Sequence, residues 1–421
     1  MALRLACVYY FCQTSALRVN FLHMRSATYT RPADQNAVLT VSLAVLGISL
    51  FVQQSIAGMQ YLTFLIGVGL GITLLHAAFG FSGSWRLFIR EQDGTGIRAQ
   101  LLLLGITSLL FFPILGQVFP SVQAGAALAP VGTSVMVGAF LFGVGMQLGG
   151  GCGSGTLYTM GQGQVDMLIT LVFFIVGATL GTAHLHWWLS LPGYGKISVI
   201  GHFGWWQALL LQLVILAALY SLVRFLELRR HGRINPVEWQ VPRHEIAQRL
   251  THGRWPLWWG VLGLAVLNLA TLMVAGYPWS ITYAFGLWGA KIWAAVGGDP
   301  GSWVYWSSGY PAQSLNSSVL ADMTSVMNFG IILGAMLAAA LAGKFAPAMK
   351  LTRTRVLTAV VGGLLLGYGA RLGFGCNIGA LVGGITSGSL HGWLWMVAGF
   401  CGGIAGVHLR IWLKVDKPMG I

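Results

Sequence analysis

Ten apolar stretches of about 20 residues, each long enough to cross a hydrocarbon core, succeed one another along this 421-residue chain. They fall near 37–54, 60–79, 99–119, 131–148 and 165–189, then 204–226, 257–277, 319–343, 355–373 and 391–413. Only 8% of the residues are charged and 56% are hydrophobic, whereas a soluble domain carries roughly 25% charged residues. So little charge cannot cover a water-facing surface, and the lipid bilayer is the expected solvent. A transmembrane barrel would show short alternating segments instead. The fold class expected is an all-α polytopic membrane protein.

The net charge of +14 would suit a nucleic-acid binder, but its placement argues against one. Of the 24 basic residues, 21 lie before the first stretch, between the second and third, around the loop between the sixth and seventh, between the eighth and ninth, or after the last. With ten spans all of these fall on one side, which the positive-inside rule makes cytoplasmic. Both termini are then cytoplasmic, and the basicity records topology. The 17 tryptophans mostly flank the spans, as an interfacial belt does. The five cysteines, Cys7, Cys12, Cys152, Cys376 and Cys401, are a poor disulfide framework. Residues 1–36 read as a mixed cytoplasmic segment. Met24 is an alternative start, which would leave Cys7 and Cys12 outside the chain.

Two segments repeat. Residues 143–157 read GVGMQLGGGCGSGTL and residues 367–381 read GYGARLGFGCNIGAL, matching at eight of fifteen positions including the paired Cys152 and Cys376. The 59 glycines inflate such a score, but five cysteines do not align easily by chance. A weaker echo relates Ala78-Phe79-Gly80 with Gly83 to Ala284-Phe285-Gly286 with Gly289. The echo precedes its cysteine motif by 72 residues in the first half and 90 in the second, and the extra length sits in segment 294–318. Five spans per half force the second half to run inverted. The expected organisation is therefore a first repeat over 37–226, a basic linker over 227–254 and a second, inverted repeat over 255–421. Inverted repeats with broken helices near the midplane mark transporters and channels.

Glycine costs about 1 kcal/mol per interior helix position, so the run Gly149–Gly155 should break its helix at Cys152, with a short half-helix near Thr156–Met160. Residues 374–388 should repeat this re-entrant break around Cys376. Irregular backbone at membrane depth is tolerated only when buried in protein or lining a cavity. A half-helix starting after each cysteine would aim free N–H groups and a positive dipole end inward, which favours an anion. The thiols would act as weak donors and polarizable contacts, kept neutral so as not to repel it. The candidate binding set is Cys152 and Cys376 with Gly151, Gly153 and Gly155, then Gly375, Asn377 and Gly379. Each motif alone could equally be helix packing; the matched pair favours function. GVGMQLGG also mimics part of a dinucleotide fingerprint, but no strand precedes it.

Arg371 and Lys291 join the set as basic residues inside apolar segments, where charge is a functional hypothesis by default. Asp322 and Asn328 are polar residues near the expected pathway. His184, His186 and His391 sit at span ends and read as interfacial, Cys401 as packing, and no metal-ligand spacing is present. No cofactor is expected, and nothing resembles a phosphate-binding loop.

The twofold pattern Gly-x-Gly-x-x-Leu-Gly-x-Gly-Cys-x-x-Gly resembles the YeeE/YedE sulfur-transport family over about residues 37–414, with Trp279–Lys291 similar to its YedE-like branch. The chain has Phe79-Gly80-Phe81 where some members carry a further cysteine, and Thr156 and Ala380 where some carry a histidine. The resemblance implies a bacterial inner-membrane protein taking up a small inorganic anion, thiosulfate first, by contacts to Cys152 and Cys376. A selenium species is an alternative cargo. A small cytosolic sulfur-carrier protein is a possible partner, and nucleic acid is not. The rival reading from another class is a membrane sulfurtransferase, which needs a nucleophilic cysteine reachable from the cytoplasm.

Overall fold

The computed structural model describes residues 34–55, 58–235, 245–253, 255–345 and 351–416. The expectations for Cys7, Cys12, Met24, nearly all of segment 1–36 and linker residues 236–244 and 254 lie outside the described residues. The described helices begin with α1 (Gln35–Ser55), α2 (Gly58–His76), α3 (Phe81–Glu91), α4 (Thr95–Leu115), α5 (Thr133–Leu148), α6 (Gly153–Gly161) and α7 (Val165–Leu189). There follow α8 (Val199–Phe203), α9 (Trp205–His231), α10 (Ile246–His252), α11 (Leu257–Ala275) and α12 (Thr282–Ala295). Short 3-10 turns and α13 (Gly309–Asn316) lead to α14 (Met323–Leu341) and α15 (Arg353–Leu372). A π-helical turn (Asn377–Val382) runs into α16 (Gly383–Thr386), and α17 (Leu390–Trp412) closes the fold.

Ten of these segments are long and apolar enough to span a membrane, so the chain is an all-α polytopic membrane protein. Their ends differ locally from expectation, for visible reasons. The third span starts at Thr95, whose backbone N–H donates to the Asp93 carboxylate at 2.9 Å. The sixth continues to His231 because Arg229, Arg230 and His231 complement the dipole of its last turn, and Gly232 in the left-handed conformation ends it. The eighth starts at Met323, where the Asp322 side chain caps the Ser325 N–H at 2.8 Å. A small antiparallel ribbon was not expected: Pro130–Gly132 pairs with Gly193–Lys196, with Val131 opposite Tyr194.

Four shorter helices follow breaks: α3, α6, α12 and the 377–386 helix. Of these, α3 was not expected as a separate element. The weaker sequence echo does not mark equivalent positions. Ala78 (φ 47°) and Gly80, the N-cap of α3, form a break, whereas Ala284–Gly289 lies within α12.

Without a hydrophobic drive between helices in lipid, close backbone approach carries the packing. On α2, Cβ atoms at Gly67 and Gly71 would overlap the Met327 and Ile331 carbonyls of α14. On α14, Cβ atoms at Gly330 and Gly334 would overlap the Phe64 and Val68 carbonyls in return. The same reciprocity joins α7 to α15, where Gly177 faces Leu364 and Gly367 faces Phe174. The start of the linker is held by a buried pair, Arg98–Glu227 at 3.2 Å, with Asn235 donating its N–H to Glu227 at 2.8 Å. Breaking such a pair leaves an uncompensated buried charge.

Gly71→Ala should therefore cost about 1–3 kcal/mol of stability through overpacking and lower the thermal unfolding midpoint accordingly. Gly47→Ala, where nothing lies within 4 Å of the new methyl group, should be neutral or slightly stabilising. Equal melting of both variants in detergent would contradict this packing.

Candidate functional site

Helix α5 ends at Leu148, and the chain turns through Gly149, Gly150 (φ +80°) and Gly151 before Cys152 caps α6 in extended conformation (φ −89°, ψ −168°). The Cys152 sulfur accepts the Gly155 N–H at 3.4 Å and lies 3.4 Å from the Ser154 hydroxyl. Thr156 donates both its N–H (2.9 Å) and its hydroxyl (2.8 Å) to the Cys152 carbonyl.

The second motif repeats this geometry. After α15 ends at Leu372, Phe374 takes the left-handed conformation (φ 60°) at the position matching Gly150, and Cys376 caps the next helix (φ −98°, ψ −166°). Its sulfur accepts the Ile378 N–H at 3.4 Å, and Ala380 donates its N–H to the Cys376 carbonyl at 2.9 Å. Gly375 (φ +149°) cannot carry a side chain, because a Cβ there would sit 2.6 Å from the Ala380 nitrogen. The helix that follows begins with π-helical turns over Asn377–Val382 instead of the α-helix found after Cys152.

The two motifs meet. A Cβ on Gly153 would stand 3.0 Å from the Cys376 sulfur and 3.5 Å from the Thr282 methyl carbon, at the first turn of α12. Gly379 faces Ser280 at 3.5 Å in the same sense. The starts of α6, of the 377–386 helix and of α12 therefore converge. Residues Trp279–Thr282 are pinned there by Asn268, which accepts the Trp279 N–H at 3.0 Å, and by Asn328, whose amide donates to the Ile281 carbonyl at 3.0 Å. Cys152 is 1% exposed and Cys376 0%, so neither thiol reaches solvent.

Asn377 is fully buried, and both its amide nitrogen and its amide oxygen lack a hydrogen-bond partner; the Asn328 oxygen is likewise unpaired. An unsatisfied buried polar atom costs about 1–3 kcal/mol, and in a native protein each such atom asks for an explanation. Converging helix starts, whose dipoles point their positive ends inward, with two thiols and an unpaired amide make an arrangement that could take a small, polarizable anion. Among the described residues no cluster could hold a metal ion.

Arg371 sits at the last turn of α15. Its Nη1 donates to the Tyr305 hydroxyl at 2.6 Å and its Nη2 to the Thr282 carbonyl at 3.4 Å, and its carbon lies 4.9 Å from the Tyr305 ring centroid. Through Thr282 it adjoins the cysteine pair. Lys291 is not brought to the cysteines: its ammonium donates to the Leu315 and Ser317 carbonyls, each at 2.6 Å, at the end of α13. Asp322 accepts from Tyr310 (2.9 Å) and the Ser325 hydroxyl (2.6 Å).

His391, expected at an interface, is buried at 1% exposure and bonds Ser389 at 2.6 Å. The tight 384–392 turn draws it in, since a Cβ on Gly384 would meet its ring. His184 is exposed and bonds Tyr368 at 3.1 Å. Cys401 is exposed on α17 and lines an apolar groove with Met136, Phe140 and Val397. Sequence reasoning missed Ser280, Thr282 and Tyr305, which carry no motif and reach the site only through tertiary packing.

A family model described as sulphur transport matches residues 76–405. The thiosulfate transporter TsuA of Spirochaeta thermophila is 28% identical over 350 residues, covering 78% of this chain and 92% of its own length. TsuA of Escherichia coli is 25% identical over 365 residues, 84% of this chain and 94% of its own. The probable transporter YedE of E. coli is 29% identical over 163 residues, 37% of this chain and 40% of its own. With the family match spanning most of its length, this multi-pass chain belongs to the YeeE/YedE sulphur-transport family.

Proposed function

We propose that the chain carries a small sulfur-containing anion across a bacterial inner membrane, thiosulfate being the first candidate. The observation that carries this reading is the buried meeting of Cys152 and Cys376 at two helix starts, beside the unpaired amide of Asn377. Two relatives bearing the name thiosulfate transporter, aligned over most of both chains, support the choice of cargo. The glycines at 151, 153, 155, 375 and 379 keep these helix starts bare, so that N–H groups and thiols face the anion in place of side chains.

In this reading the two motifs are related by an inverted repeat, with the basic loops and both termini cytoplasmic. The repeats are 37–226 and 255–421, joined by the linker 227–254. Arg371 attracts the anion from the face opposite the basic loops. Lys291 acts at one remove, by fixing the end of α13. A sulfurtransferase passing sulfur to a cytosolic carrier protein is disfavoured, because a carrier cannot reach thiols at 0–1% exposure.

Serine keeps a donor of similar size but loses the polarizable sulfur. Cys152→Ser and Cys376→Ser should each lower labelled-thiosulfate uptake by about tenfold at equal protein levels, the equivalent of one lost contact worth roughly 1.4 kcal/mol. Mass spectrometry of the wild type during turnover should find no persistent sulfur adduct on either cysteine. Near-normal uptake in both variants would remove the thiols from the mechanism, and a lasting adduct on one essential cysteine would favour the sulfurtransferase.

Asn377→Leu should separate function from stability. It removes two unpaired buried polar atoms, so the unfolding midpoint should rise while uptake falls by about tenfold or more. A variant that melts lower and still transports would show that Asn377 serves packing alone.

A further inference from the structure

From the start of α12 to Cys376 the second half carries more chain than the first half does from the start of α3 to Cys152, and the surplus lies between α12 and α14. That chain is tied down at several points. Trp306 donates its indole N–H to Thr182 at 3.1 Å, Tyr283 bonds Ser314, and Tyr310 bonds Asp322. Immediately before the first of these anchors it presents Tyr305 to Arg371.

The guanidinium there is incompletely matched. Its Nε is buried without a hydrogen-bond partner, its contact to the Thr282 carbonyl is long at 3.4 Å, and among the described residues it forms no ion pair. Asp322, an acidic residue packed in this region, is committed to Tyr310 and Ser325. The rings of Tyr305 (4.9 Å) and Tyr283 (5.9 Å) flank the cation, which steadies it without neutralising it. Gly181 and Gly286 leave it room, since a Cβ at Gly286 would stand 2.8 Å from Nη2. A planar fork with ring-flanked faces, an unpartnered Nε and a weakly held Nη2 is matched to an oxyanion that takes two parallel hydrogen bonds.

We propose that Arg371, Tyr305 and Thr282 form an anion-binding station separate from the thiol pair, where a small oxyanion displaces the Tyr305 hydroxyl from the guanidinium. The station rests on the reading of the chain as an anion carrier. Thr282 bridges the two sites: its carbonyl meets Arg371 while its methyl group lies against Gly153 beside Cys376. An anion released by Arg371 is thereby delivered to the thiols one residue away, and Tyr305 returns to the empty cation. Tyr305 thus sets how readily the station exchanges its ligand.

The test is isothermal titration of thiosulfate, with sulfate in parallel, into the purified full chain carrying both Cys152→Ser and Cys376→Ser. Binding should persist in this double variant. Adding Arg371→Gln should weaken it by about tenfold or more, and Arg371→Lys should retain part, as expected for charge-assisted hydrogen bonds. Tyr305→Phe should tighten binding a few-fold, because the competing hydroxyl is gone; this arm decides the matter even where Arg371→Gln does not fold. No binding in the double variant, indifference to Arg371→Gln, or weaker or unchanged binding in Tyr305→Phe would each overturn the station. Failure of the thiol reading would show separately, as uptake that survives the serine replacements.

Discussion

Every backbone N–H and C=O inside a bilayer must find a partner within the protein, and in this chain that constraint bears hardest on the two segments where helices stop before Cys152 and Cys376. Each break is tolerated because the freed groups are met locally. The Cys152 and Cys376 carbonyls accept N–H groups from the next turn, and each sulfur accepts one more. The glycines around them let neighbouring backbones come close enough to seal the breaks from lipid. Remove that closeness and neither break could be held among the packed helices. The reciprocal glycine contacts of α2 with α14 and of α7 with α15 extend the same requirement to the helices that surround the breaks.

A break satisfied in this way still leaves something over. The first N–H groups of three helices converge with two thiols and an unpaired amide, and none of these groups bears a full charge. Dipoles and polarizable sulfur can hold an anion loosely enough for it to leave, whereas a cation at the same point would hold it fast. Full charge is found a step away, at Arg371. In the proposed reading, separating the strong attraction from the weak coordination suits a carrier, which must both collect its cargo and release it.

Much of the fold was legible from hydropathy alone, because a span of about 20 apolar residues has few other uses. The breaks were legible because glycine runs cannot remain helical. What could not be read depended on partners distant in sequence. Helix α3 was hidden because Phe81–Glu91 mixes apolar and polar residues beneath the threshold of a span. The Ala-Phe-Gly echo misled because composition repeated where structure did not. His391 looked interfacial by position, yet its turn folds it inward. Cys152, Cys376 and Asn377 could be named from their motif, but the unpaired state of Asn377 and the tie between Arg371 and Tyr305 are properties of packing. Lys291 showed the reverse, a charge whose carbonyl partners, Leu315 and Ser317, lie 24 and 26 residues further along the chain.

The meeting of the two cysteines at one site is the claim on which the functional reading turns, and crosslinking tests it most directly. In a chain whose only cysteines are Cys152 and Cys376, a short bifunctional thiol reagent small enough to travel the anion's own path should join the two within one molecule as the carrier cycles and opens the buried pair, as read by mass spectrometry of the joined peptides. Thiosulfate should slow that reaction in proportion to its occupancy. Thiols that are each modified singly but never joined, or that join at a rate indifferent to thiosulfate, would contradict a shared anion site.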